Sequence, residues 1–322
     1  MCINVVVVGY GRGFNTKYYH CNTIRSIPGL ELYGCCDLDR KRRNEARSEF
    51  GVKIFSCLEE VLEDPKVDLV VVATPNDTHA EIAIGALEAG KHVVTEKPMC
   101  LSVREADEMI EASRRNRRIL SVRQNRRWDT DYLTVKKVLD DGILGEVFSI
   151  DSAMDMFVRP GGWRAKKEAG GGFLYDWGCH LLDQVVQLVN SRPKLVFADL
   201  QTRVWDVGVD THALVITKFE DGLLAGIEVS NVSWLGRPRW HIRGEEGALI
   251  YQGGRAIVRT SRGEVEVQNV VGNPKGFYEN ISAVLNLGEE LAVKPEEAKS
   301  VIAIIEAAFA SAGTDSAVMV NL

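Results

Sequence analysis

The sequence lacks several features that would place it in common protein classes. Its seven cysteines form no C-x-x-C pair. Cys35 and Cys36 would face opposite sides of a strand, and Cys179 and His180 lie about 100° apart on a helix, so no metal site is expected. Unpaired thiols of this kind suit a reducing, cytoplasmic setting. There is no basic excess: 39 Lys and Arg stand against 45 Asp and Glu, a net charge of −6. That balance argues against nucleic acid or an anionic membrane as partner. The basic run Arg114, Arg115, Arg117, Arg118 reads as the cationic end of a helix, where it complements the dipole. No basic leader and no apolar run of spanning length is present. MCINVVVVGYG enters a strand directly, so neither secretion nor a membrane span is expected. Internal repeats and low-complexity linkers are also missing.

What is present begins with alternation. INVVVV, LELYGCC, VDLVVVA and KHVVT are apolar runs of the kind buried on both faces of a parallel sheet. Helical segments separate them, with Ser56 and Glu59, then Ser102 and Glu105, at capping-box spacing. Residues 1–121 therefore predict a doubly wound α/β domain. From residue 122 the texture changes. After one amphipathic helix come longer stretches such as EVFSIDSAMDM, HALVITKFEDG and LLAGIEVSNVSW, with alternating character and Gly or Asp turns. Residues 122–322 predict a second α/β domain built on a large antiparallel or mixed sheet with one face open.

The first strand runs into Gly9-Tyr10-Gly11-Arg12-Gly13-Phe14. Glycines there permit a tight turn and let backbone N–H groups approach a pyrophosphate at a helix N-terminus. The second strand ends in Asp37, placed to accept hydrogen bonds from ribose hydroxyls and to repel a 2′-phosphate. This favours NAD over NADP. Phe14 in place of a third glycine and the cations Arg40, Lys41 and Arg42 pull the other way, so NADP stays open. KHVVT ends in Glu96-Lys97-Pro98, which puts a lysine at the carboxyl end of a parallel strand, where such sheets bind ligands. In GGGFLYDWGCHLLDQ (170–184), Asp176, His180 and Asp183 fall at i, i+4 and i+7 on one helical face among apolar residues.

Taken together, the glycine loop, Asp37, TPNDTH (74–79), EKP (96–98), VRQNRRWD (122–129), Trp163-Arg164 and the 170–184 segment resemble the Gfo/Idh/MocA oxidoreductases across essentially the whole chain. The resemblance implies an N-terminal Rossmann domain and a C-terminal domain whose open sheet forms homodimer or homotetramer interfaces. It assigns cofactor contacts to the glycine loop, Thr74, Pro75, Asn76, His79 and Glu96, and catalytic work to Lys97, Asp176 and His180.

The chemistry expected is oxidation of a secondary alcohol of a sugar or cyclitol. His180 would take the hydroxyl proton, because its ordinary pKa is near neutrality. Asp176 would orient and stabilise the imidazole, and Lys97 would offset charge developing on oxygen. Asp183 reads as a structural anchor. Asn125, Asp155, Trp163, Arg164 and Tyr175 are the substrate candidates, aromatic rings covering a sugar face and polar groups reaching its hydroxyls. Two other readings remain: a glycosidase working through transient NAD oxidation, and a cofactor-sensing regulator without turnover.

Overall fold

The computed structural model describes residues 2–11 and 15–322. Arg12, Gly13 and Phe14 of the glycine loop lie outside the described residues. The chain forms two compact units: residues 1–124 with 275–299, and residues 125–274 with 300–322.

Among the described residues, unit 1 contains a six-stranded sheet of β1 (Ile3–Val8), β2 (Leu30–Cys36), β3 (Lys53–Phe55), β4 (Leu69–Val72), β5 (His92–Thr95) and β6 (Leu120–Val122). The order is β3-β2-β1-β4-β5-β6 and every pairing is parallel. Val5, Val6, Val7, Val70, Val71, Val93 and Val94 are fully buried, as unbroken apolar strands covered on both faces must be. The order reverses between β1 and β4, which makes their carboxyl ends the expected ligand crevice. Ser102 and Glu105 form a complete capping box at the start of Val103–Asn116. Ser56 and Glu59 do not. Cys57 occupies the N-cap position of the helix Leu58–Glu63 without a side-chain cap, and Ser56 donates from its N–H and Oγ to Glu60 instead.

The expected division at 121/122 differs from the observed one in two respects. The chain leaves unit 1 after Gln124, and residues 275–299 return to it rather than staying in the second unit. The returning helix Gly276–Leu287 buries Phe277, Tyr278 and Ile281. Ser282 Oγ donates to Pro28 O at 2.7 Å, and Ser121 Oγ to Val293 O at 2.9 Å.

Unit 2 is organised on a nine-stranded sheet of β7 (Val147–Asp155), β8 (Pro193–Gln201), β9 (His212–Phe219), β10 (Leu224–Ser230), β11 (Trp240–Gly244), β12 (Gly247–Gln252), β13 (Arg255–Thr260), β14 (Gly263–Val267) and β15 (Val318–Met319). Its order is β14-β13-β12-β11-β7-β10-β9-β8-β15. β7 and β10 run parallel and the other pairs antiparallel, so the sheet is mixed. Val135, Leu181, Leu182, Val185, Ile304 and Ile305 from three helices share one core with Ile150, Val196, Val215, Ile227 and Ile242 of the strands. On the opposite face Phe197, Ile216, Leu224 and Ile250 are exposed. That alternation is the period-2 signature of a sheet covered on one side.

Candidate active site

In unit 1 the glycine turn is enforced sterically. Gly9 has φ +96°, and a Cβ there would lie 2.5 Å from Ala73 O. Only glycine lets the end of β1 pass this close to the end of β4. The turn also delivers Tyr10 N–H to Asp37 Oδ2 at 2.9 Å, while Asp39 N–H reaches Asp37 Oδ1 at 2.8 Å. Asp37 is thereby fixed at the end of β2, and the Arg42 guanidinium lies 3.7 Å from it. A buried aspartate held by two amides beside the close backbone approach at Gly9 fits the adenosine ribose and pyrophosphate of a dinucleotide.

Asn76 and His79 are buried. The His79 ring stands between two strand-end loops, with Nδ1 2.8 Å from Pro98 O and Nε2 3.0 Å from Thr74 O. It ties TPN to EKP, and burial lowers its pKa despite those carbonyls. Thr78 Oγ1 closes the same loop on Thr74 Oγ1 and Pro75 O, at 2.6 and 2.7 Å.

Beneath Lys97 lies a buried polar network. Arg123 Nη1 and His20 Nε2 both reach Glu96 Oε1 at 2.9 Å, and His20 Nδ1 is 2.6 Å from Tyr278 OH. Burial pushes the His20 pKa down, and a neutral ring can accept from Tyr278 OH at Nδ1 while Nε2 stays in close contact with Glu96. Burial opposes ionisation of Glu96. The Arg123 guanidinium and the His20 contact, with Lys97 adding its charge, nevertheless hold the carboxyl well below the usual range. The same carboxylate accepts Lys97 N–H at 3.2 Å, so this network braces the peptide that carries the lysine. Neither His20 nor Tyr278 belongs to any of the motifs named above.

In unit 2 the 174–188 helix is not uniform. Leu174–Gly178 is a π-helical turn that becomes α-helical over Cys179–Leu188. Such wide turns disrupt regular spacing and recur at functional sites. Asp176 Oδ2 accepts Arg164 Nε at 3.0 Å, and Arg164 stacks 4.5 Å from the Trp163 ring centre. Asp183 takes a bidentate pair from Arg127, with Nε at 2.8 Å and Nη2 at 2.6 Å, both side chains buried.

His180 is 6 % exposed and lines a cavity of about 310 Å³. Arg126, Asp129, Asp131, Trp177 and Arg239 share its wall, with Tyr251 and Met154. Arg126 lies 4.6 Å over the Trp177 ring and donates to Asp129 at 2.8 Å. Arg239 pairs with Asp131 at 2.9 Å and also bonds Gln184 and Ser152. Burial raises the Asp129 pKa against the pull of Arg126 and Arg239.

The five substrate candidates fall elsewhere. Arg164 meets Asp176 and lies over the Trp163 ring. Tyr175 packs against Phe309 at 5.2 Å, and Asp155 ends β7, accepting Arg237 N–H at 2.9 Å. Asn125 opens a short 3₁₀ turn. None of the five is among the cavity's lining residues.

A parallel sheet with a glycine turn at its reversal point, an acid after the second strand and a lysine after the fifth defines a dinucleotide-binding oxidoreductase architecture. Residues 3–124 match the oxidoreductase family with an NAD-binding Rossmann fold, and residues 132–250 the GFO/IDH/MocA C-terminal domain. The chain belongs to the Gfo/Idh/MocA family and is an NAD(P)-binding oxidoreductase of that family. It is 31% identical to the uncharacterized oxidoreductase YdgJ of Escherichia coli strain K12, over 96% of each chain. It is 29% identical to the scyllo-inositol 2-dehydrogenase (NADP(+)) IolW of Bacillus subtilis, over 99% of this chain and 96% of that one. An NAD-binding protein from Listeria innocua superposes with a TM-score of 0.90 at 34% identity, over 99% of each chain.

Proposed function

We propose that the protein transfers a hydride between a nicotinamide cofactor and a secondary alcohol of a neutral sugar or cyclitol. The observation that carries this reading is the cavity at His180. Two carboxylates, Asp129 and Asp131, are matched there by two guanidiniums, Arg126 and Arg239, beside an indole. Balanced charge and an aromatic wall suit an uncharged polyol better than a sugar phosphate or sugar acid. The cavity's 310 Å³ is at the small end of ligand sites. Relatives named as inositol dehydrogenases add support.

In this mechanism His180 takes the proton of the reacting hydroxyl as general base. Asp176, steadied by Arg164, orients the imidazole and stabilises its charged form. Lys97 hydrogen-bonds the substrate oxygen and offsets its negative charge. A bound nicotinamide cofactor would supply the hydride acceptor. Gly9, Gly11, Asp37, Thr74, Pro75, Asn76, His79 and Glu96 would hold or brace the cofactor, and the Asp37 carboxylate favours NAD.

Two further assignments accompany this reading. The exposed Phe197 and Ile216, cross-strand partners on the open face of the nine-stranded sheet, support a homodimer or homotetramer built through that face. The cysteines are all free, which suits the cytoplasm.

The test mixes the protein with NAD+ or NADP+ and a panel of cyclitols, aldoses and sugar acids, following nicotinamide absorbance. Turnover of a neutral polyol that falls about 10²–10⁴-fold in both Lys97→Ala and His180→Ala supports the mechanism. Turnover that survives both substitutions refutes it. Release of an aglycone without net absorbance change assigns the glycosidase reading instead.

A further inference from the structure

Asp210 lies on the connection between β8 and β9, and the chemistry just described makes no use of it. Its Oδ2 accepts the Leu174 N–H at 2.7 Å, and its backbone carbonyl accepts the Phe173 N–H at 3.2 Å. Leu174 is the first residue of the π-helical turn that contains Asp176, and His180 follows one turn later.

The carboxylate reaches that N–H because residue 172 has no side chain. A Cβ on Gly172 would lie 2.1 Å from Asp210 Oδ1, and the backbone there has φ +116°. Gly171 is closed in from another side. A Cβ on it would meet the carbonyl oxygens of Arg164 and Lys166 at 2.5 and 2.7 Å. Those same carbonyls accept the N–H groups of Gly172 and Gly171, at 3.0 and 2.9 Å. Arg164, whose carbonyl is fixed in this way, sends its guanidinium to Asp176. The glycine run is thus where two backbone segments and one carboxylate converge on the start of the helix.

We propose that Asp210 is a positioning residue: by holding the first N–H of the 174–188 helix against the glycine run, it fixes where Asp176 and His180 stand. The proposal rests on the assignment of those two residues to the reaction.

The ionisation of Asp210 agrees with such a role. The residue keeps some exposure, but its carboxyl is enclosed, and burial raises its pKa to about 6. The N–H groups of Leu174, of Asp210 itself and of Phe173 pull in the opposite direction. The charged or titratable groups on the elements around it are Arg164, Lys166, Lys167 and Glu168 of the 162–169 turns, Tyr175, Asp176, Cys179, His180 and Asp183 of the helix, and Arg203, Asp206 and His212 beside it in sequence. None of them sets the shift, which burial drives upward against the pull of backbone donors. Near neutrality the chain therefore keeps a charged cap where a neutral one would be more stable, a compromise typical of functional placement.

The experiment compares wild type with Asp210→Ala and Asp210→Asn in the full-length protein, measuring kcat, KM, the dissociation constant for NADH and amide hydrogen exchange over 174–180. Asp210→Ala is expected to lose about 10- to 100-fold in kcat, as for a misplaced catalytic group. NADH affinity and KM should stay within about twofold, and exchange at 174–180 should accelerate. Asp210→Asn keeps an acceptor for Leu174 N–H and should recover most of kcat and protection. A drop in thermal stability alone in Asp210→Ala, with kcat and exchange at 174–180 unchanged, overturns the proposal. If the wild type turns over no polyol, the dehydrogenase reading fails and exchange alone decides. Lost protection in Asp210→Ala that Asp210→Asn restores upholds the positioning role, and unaltered protection rejects it.

Discussion

Each unit encloses a carboxylate beside a proposed catalytic segment, and the two have their pKa values pushed in opposite directions. In unit 1, Glu96 is 1 % exposed, yet Arg123 and His20 at 2.9 Å, with Lys97 nearby, hold it ionised. In unit 2, Asp210 has only backbone N–H donors, and its pKa rises to about 6. Depth alone would raise both; a cationic partner is what reverses the outcome for Glu96. The pH windows are therefore opposite. Glu96 has a depressed folded pKa, so its stabilisation is present above the ordinary glutamate value of about 4.3 and is lost as pH falls through the lower folded value. Asp210 has a raised folded pKa. Its contribution is most favourable below the ordinary aspartate value of about 3.9 and is withdrawn as pH rises through about 6.

Breaking the pairing in unit 1 should have the largest effect on stability. Arg123→Met leaves Glu96 buried without its main counter-charge, and denaturant unfolding at pH 7 should show a loss of about 3–5 kcal/mol. The loss should shrink near pH 5, where Glu96 in the variant can take up a proton. A deficit independent of pH would mean that Glu96 is not the group left uncompensated. In unit 2, Gly172→Ala forces a side chain into φ +116° and against Asp210 Oδ1, and should cost about 1–3 kcal/mol. Unfolding no earlier than wild type would show that the carboxylate does not occupy that space. Asp210→Asn sharpens the contrast through its sign. Its melting temperature should gain on wild type as pH rises from about 4 to above 6, while a gain in the opposite direction would place the Asp210 pKa below its ordinary value. The smallest effect belongs to Tyr278→Phe. It removes one hydrogen bond to His20 and should lower stability by about 1 kcal/mol, with no change across pH 5 to 8 if His20 stays neutral.

The parallel sheet was readable because its strands are uninterrupted runs of Val and Leu, and its topology puts strand-end residues such as Gly9, Asp37 and Lys97 along one edge. The open mixed sheet was readable from alternation, as in β9, where Ala213, Val215 and Thr217 are buried and Ile216 and Lys218 are not. The network under Lys97 left no such trace. His20 and Tyr278 are 258 positions apart in the chain, and no periodicity joins them. The cavity at His180 was hidden for a different reason. Asp129 and Asp131 sit where acids routinely begin a helix, and Arg239 sits next to a strand, so each has an ordinary explanation when seen alone. The π-helical turn was equally hidden. Regular spacing of Asp176, His180 and Asp183 suggested one α-helical face, whereas Asp176 occupies the wider turn and pairs with Arg164.

The return of residues 275–299 to unit 1 has a consequence for biosynthesis. A ribosome that has released the first 124 residues has delivered all six strands of the parallel sheet, but Tyr278 is still more than 150 codons away. Until it arrives, the His20 ring lacks its hydroxyl partner and the apolar residues that Phe277 and Ile281 cover stay wet. The nascent first unit must then wait, incompletely sealed, while the whole nine-stranded sheet apart from β15 is made. A fragment ending at Gln124 should accordingly be less protected against proteolysis than the same residues in the full chain.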